Sequence, residues 1–231
     1  MSPLDDAPHA QAGNPVTLNG VPLVLRPDGA LWWPARRTLV VADLHLEKGT
    51  AIGRGTGQLL PPYDSRATLG RLARTIAALD PACVICLGDS FHDRKAAERI
   101  VDEDRRTLAA LVAGRNWIWI VGNHDPAPSD AFGGKVADFL VDGALVFRHE
   151  ATPGAAGEIS GHYHPKARVE TRARSVSARC FVHDSRRLIL PAFGAYAGGL
   201  DVMAPAIRTL LERRFWVDLT SRRGIYRFPA E

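Results

Sequence analysis

Five short polar clusters interrupt a chain of 231 residues that is otherwise rich in apolar side chains. They are Asp43-Leu44-His45, Gly88-Asp89, Gly122-Asn123-His124-Asp125, His149 and Gly161-His162-Tyr163-His164. Borderline divalent metals take imidazole nitrogen and carboxylate oxygen together. Residues two apart on an extended segment share a side, so the Asp43/His45 and His162/His164 pairs can converge from neighbouring strands. Asp89 suits a bridging carboxylate, and Asn123 a neutral oxygen donor that limits the site's negative charge. Alone, each fragment is weak: Asp-Leu-His is usually a strand end and Gly-Asp a turn. Their joint occurrence carries more, because five of the eight histidines fall in these clusters.

The surrounding pattern predicts how these groups are held. RTLVVADLH, CVICLGD and NWIWIVGNHD are apolar runs ending in polar residues, as buried strands that deliver side chains at their carboxyl edges do. YDSRATLGRLARTIAAL places Leu69, Leu72, Ile76 and Leu79 at helical spacing, and KAAERIVDEDRRTLAALV predicts a second amphipathic helix. This alternation indicates an α/β core. The stretch containing Gly49, Gly53, Gly55 and Gly57 reads as a loop running to Pro61-Pro62. Hairpins are expected around Asp28-Gly29 and Asp142-Gly143. Further short strands follow in GEISGHYHP, ARVETRARS, RCFVHDS, RRLILPAF, RFWVDLT and GIYRF, with one helix near APAIRTLLERR. Nothing reads as a linker, so residues 16–231 are expected to form one domain behind a loose leader of residues 1–15.

With 46% hydrophobic and 23% charged residues, the chain can bury a sizeable core and is no disordered tail. No apolar run approaches the ~18 residues that span a bilayer. The N-terminus lacks the basic start and apolar core of a secretory signal, so a cytoplasmic protein with no membrane association is expected. Three cysteines argue against a disulfide framework, and period-2 alternation puts Cys83 and Cys86 on opposite faces of one strand, as core residues. The net charge is +4, unevenly spread: from His164 onward there are 13 basic and 6 acidic residues, a net of +7, leaving −3 elsewhere. An arginine-rich half suits phosphate or nucleic acid, with an arginine-heavy composition as the plain alternative.

The ordered set D-x-H, G-D, G-N-H-D, H and G-H-x-H, from Asp43 to His164, resembles the calcineurin-like metallophosphoesterase superfamily. The resemblance implies a four-layer α-β-β-α sandwich of two mixed sheets flanked by helices. It implies that Asp43, His45 and His164 hold one metal and that Asn123, His149 and His162 hold a second, with Asp89 bridging the two. The ions would be Mn²⁺, with Fe or Zn as alternatives, about 3.5–4 Å apart. Such a pair clamps a phosphate, polarises phosphorus and supplies hydroxide for in-line attack near neutral pH. His124, beside a ligand but not one itself, would protonate the leaving alkoxide as general acid, or else serve only as a hydrogen-bonding group behind the ligands. Phosphatases of the superfamily carry G-D-x-x-D-R, whereas Gly88 to Arg94 here is one residue longer. In that register Asp93 would support the catalytic histidine and Arg94 would contact phosphate. His92 as a substrate contact, and Arg94 as a solvated helix-start residue, are the alternatives.

DLHLEKG, RGTGQLLPPYD, LGDSFHD, WIWIVGNHDP, FRHE, EISGHYHPKA and LPAFGAYAGGL are similar to the ligase-associated DNA damage response endonucleases over almost the whole chain. This implies a manganese-dependent phosphodiesterase acting on DNA, with single-stranded or unpaired regions as the expected substrate. It also implies bacterial DNA repair, in a pathway with DNA ligase, helicase and exonuclease. Lys166, Arg168, Arg172, Arg174 and Arg179 would then offer a sequence-independent surface to backbone phosphates, Arg168 and Arg172 foremost, with a solvated strand face as the alternative. Tyr63, Tyr196 and Trp33 either stack on unpaired bases or pack. LPAFGAYAGGL either touches substrate or forms a tight loop ordering the C-terminal strands.

Two rival functions share the expected fold. One is a phosphatase or phosphodiesterase for small phosphate esters or cyclic nucleotides; the other is a non-catalytic scaffold. His124 and all seven expected ligands are present, which argues against the scaffold.

Overall fold

Two hairpins open the structure, a computed structural model that describes residues 13–56, 63–125, 132–170 and 175–231. β1 (Asn14–Leu18) and β2 (Val21–Leu25) turn around Asn19-Gly20, and β3 (Leu31–Trp33) returns along β2 after the expected Asp28-Gly29 turn. Asn14 and Pro15 are therefore strand, and residues 1–12 lie outside the described residues. A short 3-10 turn at Pro34–Arg36 leads into β4 (Thr38–Val41). β4, β5 (Cys83–Leu87), β6 (Asn116–Ile120) and β7 (Lys135–Ala137) run parallel and complete a seven-stranded sheet in the order β1 to β7.

The strict alternation along β4 to β6 divides the core. Leu39, Val41, Val84, Cys86, Trp117 and Trp119 face outward into one apolar cluster. There they meet Leu69, Leu72 and Ile76 of α2 (Asp64–Leu79) and Leu108 and Val112 of α4 (Asp102–Val112). Val40, Ile85, Leu87, Ile118 and Ile120 face the opposite way, into a second cluster shared with the other sheet. Cys83 packs beside that inter-sheet cluster while Cys86 lies in the helix-facing one, so the C-x-x-C pair cannot ligate together.

The second sheet has the order β15-β14-β12-β13-β10-β9-β8. Its strands are β8 (Phe139–Asp142), β9 (Leu145–Arg148), β10 (Glu158–Ser160), β12 (Ser175–His183), β13 (Arg187–Ile189), β14 (Phe215–Ser221) and β15 (Gly224–Ala230). β11 (Lys166–Glu170) pairs antiparallel with the first half of β12. Phe147, Phe181, Leu188 and Leu190 meet the first sheet, and Phe147 stacks on Trp33 at 6.2 Å between ring centroids. Each such fully buried side chain contributes roughly 1.5–3 kcal/mol. The outer face of this sheet is covered by Val202, Ile207 and Leu211, so the fourth layer is thin: α5 (Pro205–Arg208) is one helical turn. The result is the expected α/β sandwich of two mixed sheets.

Two elements differ from expectation. Part of the glycine-rich stretch is helical, α1 (Lys48–Thr56). Its start is held from outside: Glu47 accepts from Ser65 Oγ and Thr50 Oγ1, and Gly49 N–H donates to Asp64. Gly57, Pro61 and Pro62 lie outside the described residues. The second amphipathic segment is two helices, α3 (Ala96–Arg99) and α4, because Ile100 and Val101 are extended. Asp102, Glu103 and Asp104 then supply negative charge to the first turn of α4. Among the described residues, no helix is long and apolar enough to cross a membrane.

Candidate metal centre and active site

All five polar clusters meet where the parallel strands of both sheets end. Asp43, Asp89 and Asn123 follow β4, β5 and β6; His149 follows β9, and His162 and His164 follow β10, which runs parallel to β9. The delivery is not by strand alternation. Asp43, His45, Asp89, His162 and His164 all have positive φ, between 44° and 71°, so each pair swings inward from a turn rather than along an extended segment. Left-handed non-glycine residues cost roughly 1–3 kcal/mol each and persist where the surroundings over-determine them. The restraints are visible here. The Asp43 carboxylate accepts the backbone N–H of His162 at 3.0 and 3.1 Å, and His45 N–H donates to the Asp89 carbonyl at 2.9 Å.

Two groups of donor atoms result: Asp43, His45 and His164 in one, Asp89, His149 and His162 in the other, each with its atoms within 4.8 Å of one another. His45 Nε2 and His164 Nε2 face each other at 3.2 Å, with His164 Nε2 3.6 Å from Asp43. In the other group, His149 Nδ1 donates to the Leu87 carbonyl at 2.9 Å. That bond leaves the Nε2 lone pair directed at Asp89 Oδ1, 3.5 Å away, and at His162 Nδ1, 3.0 Å away. Nitrogen lone pairs converging on carboxylate oxygens are repulsive unless a cation lies among them, so the donor set fits divalent metal ions. Burial, followed by His164 and Lys48, pushes His45 down to about 2. Burial and His149 also lower His162, against the opposing pull of Glu150, Asp43 and Asp89.

Asn123 is exposed and lines a cleft of about 320 Å³ together with His149, Phe139 and Arg148. His124 is half exposed beside it. Its backbone N–H donates to Asp89 Oδ1 at 2.9 Å, and its Nε2 lies 4.0 Å from Asp89 Oδ2. Its Nδ1 donates to the main-chain carbonyl of His92 at 2.9 Å, and the two rings stack at 5.2 Å. The Asp93 carboxylate is instead held by Arg99 at 2.6 and 2.9 Å, away from His124. Arg94 is exposed near the start of α3. Arg168 is exposed on β11, while Arg172 and Arg174 lie outside the described residues. Trp33 is buried between the sheets and cannot stack on a base, whereas Tyr63 and Tyr196 are exposed.

Glycines allow the close packing of these turns. Gly88 has φ +77°, and a Cβ there would lie 2.5 Å from His149 Nδ1. A Cβ on Gly122 would lie 2.2 Å from the Asp89 backbone nitrogen. The Leu190 to Leu200 segment braces two of the donor-bearing turns: Phe193 and Gly194 N–H donate to the Ala42 and Asp43 carbonyls, and Leu200 N–H to that of Tyr163.

A family model for calcineurin-like phosphoesterases matches residues 36–175. The chain belongs to the calcineurin-like phosphoesterase family. Among solved structures, the phosphoesterase is similar to the Pseudomonas putida nuclease MPE, with 30% sequence identity and a TM-score of 0.72. The match covers 94% of this chain and 100% of that one. Comparison with curated proteins gave no match. Members of this family hydrolyse phosphoester bonds with a dinuclear metal centre, and the two donor groups supply a candidate for it.

Two residues of the phosphoesterase site went unassigned in the sequence. Lys48, half-buried at the start of α1, places its charge close enough to lower both His45 and His92. Its position in DLHLEKG, next to the first ligand pair, was the available signal. Asp125 accepts the backbone N–H groups of Ser90 and Phe91 at 2.9 and 3.1 Å, fixing the turn that carries Asp89. Burial, with Asp89 adding to it, pushes its carboxyl up to about 7 despite those two bonds.

Proposed function

We propose that this phosphoesterase is a two-metal DNA phosphodiesterase that cuts internally, as an endonuclease, in single-stranded or unpaired regions. The observation that carries the reading is the pair of donor groups with an oriented His124 against them, its N–H on Asp89 and its ring on that of His45. The nuclease named among its structural neighbours supports nucleic acid as the substrate class. Asp43, His45 and His164 would hold one ion and Asn123, His149 and His162 the other, with Asp89 between them. Bound divalent metals, Mn²⁺ foremost, would polarise the phosphodiester and supply the nucleophile. The chain's own residues orient and protonate. Lys48 and His92 border the site where the phosphate would lie, and His124 directs Nε2 into it to protonate the leaving oxygen. Arg168, on the exposed face of β11, would meet the backbone beyond the cut. A role in DNA repair alongside ligase, helicase and exonuclease follows from the resemblance of the motifs.

Metal-stripped protein given Mn²⁺ and offered circular single-stranded DNA, relaxed plasmid and a chromogenic phosphodiester in parallel tests this. Linearised circles are expected, since circles have no ends. Hydrolysis of the small ester alone would sink the nuclease reading in favour of a small-ester phosphodiesterase.

A further inference from the structure

Among the described residues, a strongly basic cavity lies outside the candidate metal centre, with none of its donors in the lining. It measures about 880 Å³ and runs between α2 and the β11–β12–β14 side of the second sheet. Five basic residues line it: Arg71 and Arg74 from α2, Lys166 from β11, Arg179 from β12, and Arg222 after β14. The single carboxylate on its wall, Asp28, already accepts from Arg26 Nε at 3.2 Å, Thr75 Oγ1 at 2.8 Å and Ala30 N–H at 3.1 Å. Neighbouring like charges in such a space raise the free energy of the empty cavity and favour an incoming anion.

Two of the arginines, Arg71 and Arg179, are held in place, as a binding site needs. Arg71 lies over the Phe193 ring at 4.7 Å, and Arg179 Nη1 donates to the Ala192 carbonyl at 2.8 Å. Those two residues directly precede Gly194, whose N–H donates to the Asp43 carbonyl. One short segment therefore forms the cavity wall on one side and braces a proposed metal ligand on the other. Lys166 is two residues beyond His164, about 7 Å along an extended chain. Burial, with Arg179 beside it, lowers Arg71 to about 10, so the guanidinium remains charged at neutral pH but without a full counter-charge.

We infer that this cavity binds the phosphodiester backbone of the nucleic acid whose scissile phosphate occupies the metal centre, with Arg71, Arg74, Lys166, Arg179 and Arg222 as its phosphate contacts. Five cations spread around such a volume match a run of phosphates better than one small anion, and guanidinium forks suit phosphate oxygens. The inference rests on the nuclease reading for its ligand but not for its test.

Arg74 and Arg222 are exposed and make no hydrogen bond or ion pair to protein among the described residues, so replacing them leaves Phe193 and Ala192 supported. The full chain is compared with Arg74→Gln/Arg222→Gln and with Arg213→Gln/Arg214→Gln, which removes the same charge outside the cavity. The readout is anisotropy of a labelled single-stranded oligonucleotide in EDTA across a salt series. The cavity pair is expected to bind roughly tenfold or more weakly, with the log–log salt slope reduced by about 1.4, and the control pair to lose much less. Wild-type affinity in the cavity pair, or equal losses in both pairs, overturns the inference and leaves the nuclease reading standing. Cavity-dependent binding without Mn²⁺-dependent cleavage supports the phosphate contacts in the cavity and refutes the nuclease reading, and with it the scissile phosphate at the metal centre. Absence of any binding by the wild type also overturns the inference, and the cleavage assay then decides the nuclease reading separately.

Discussion

His124 Nδ1 donates to the backbone carbonyl of His92 at 2.9 Å, so a peptide group rather than a carboxylate orients the proposed general acid. A carbonyl fixes the tautomer without adding negative charge, which keeps the Nε2 side free to carry and release a proton. His124→Ala is expected to slow substrates with poor leaving groups by about 10²–10⁴ and to spare an activated nitrophenolate ester comparatively. Asp93→Asn, which weakens the Arg99 pair and leaves the His92 carbonyl untouched, should leave the pH–rate profile in place. Equal losses on both substrate types count against the general-acid role.

Asp89 connects the two donor groups and His124. Its carboxylate lies within 4.0 Å of His45, His124 and His149 and accepts the His124 N–H. Asp89→Ala should lower bound Mn²⁺ below that of the wild type and abolish activity on every substrate. Metal content by elemental analysis, measured beside turnover, checks this. Full activity with normal metal content would reject the bridging assignment.

Gly122→Ala tests packing rather than chemistry. The added methyl would sit 2.2 Å from the Asp89 nitrogen and 2.4 Å from Asp89 Oδ1, both in a buried turn that cannot yield cheaply. Overpacking of this kind costs about 1–3 kcal/mol, visible as a lower melting temperature, and should displace Asp89 enough to impair metal binding. Gly198→Ala, where no atom lies within 4 Å and φ is not positive, is the comparison for space alone. Equal metal affinity in Gly122→Ala and wild type would contradict the close approach.

Acid stability should depend on Asp218, far from the metals. Burial raises its carboxyl, but hydrogen bonds from His183, Asn14 and Arg227 outweigh that and hold it below the ordinary carboxylate value. A depressed folded pKa adds stability that is present above the unfolded value, about 3.9, and lost as pH falls through the folded one. Asp218→Asn should cost roughly 1–3 kcal/mol at neutral pH and flatten the loss below about pH 4. Urea melts at pH 7 and pH 3 read both effects, and parallel acid sensitivity in variant and wild type would refute the assignment.

Much of the architecture was readable because it is periodic. The alternation in TLVV, CVICL and NWIWI assigns each residue to the helix-facing or inter-sheet cluster, and the helical spacing of Leu69, Leu72 and Ile76 is the buried stripe of α2. The α1 helix was not readable, because glycines disfavour a helix locally and its start depends on Glu47 and Asp64 contacts from a distant turn. The break between α3 and α4 was missed for a related reason: a helical pattern continues through Ile100 and Val101, which are extended in the structure.

At the site, residue types and order were enough to nominate candidate donors, six of which the fold gathers into two groups, since the affinity of imidazole and carboxylate for a divalent ion belongs to the side chain wherever it sits. How they converge could not be read there. Asp43, His45, Asp89, His162 and His164 reach each other through left-handed turns that are unfavourable in isolation and are held by bonds such as Asp43 to His162, 119 positions apart. The same holds for the arginines. Composition showed a basic half, but Arg71 and Arg74 lie outside it, and only the tertiary fold brings them beside Arg179 around one cavity. Local chemistry is written residue by residue, whereas strained backbone and clustered charge exist only where distant segments hold each other in place.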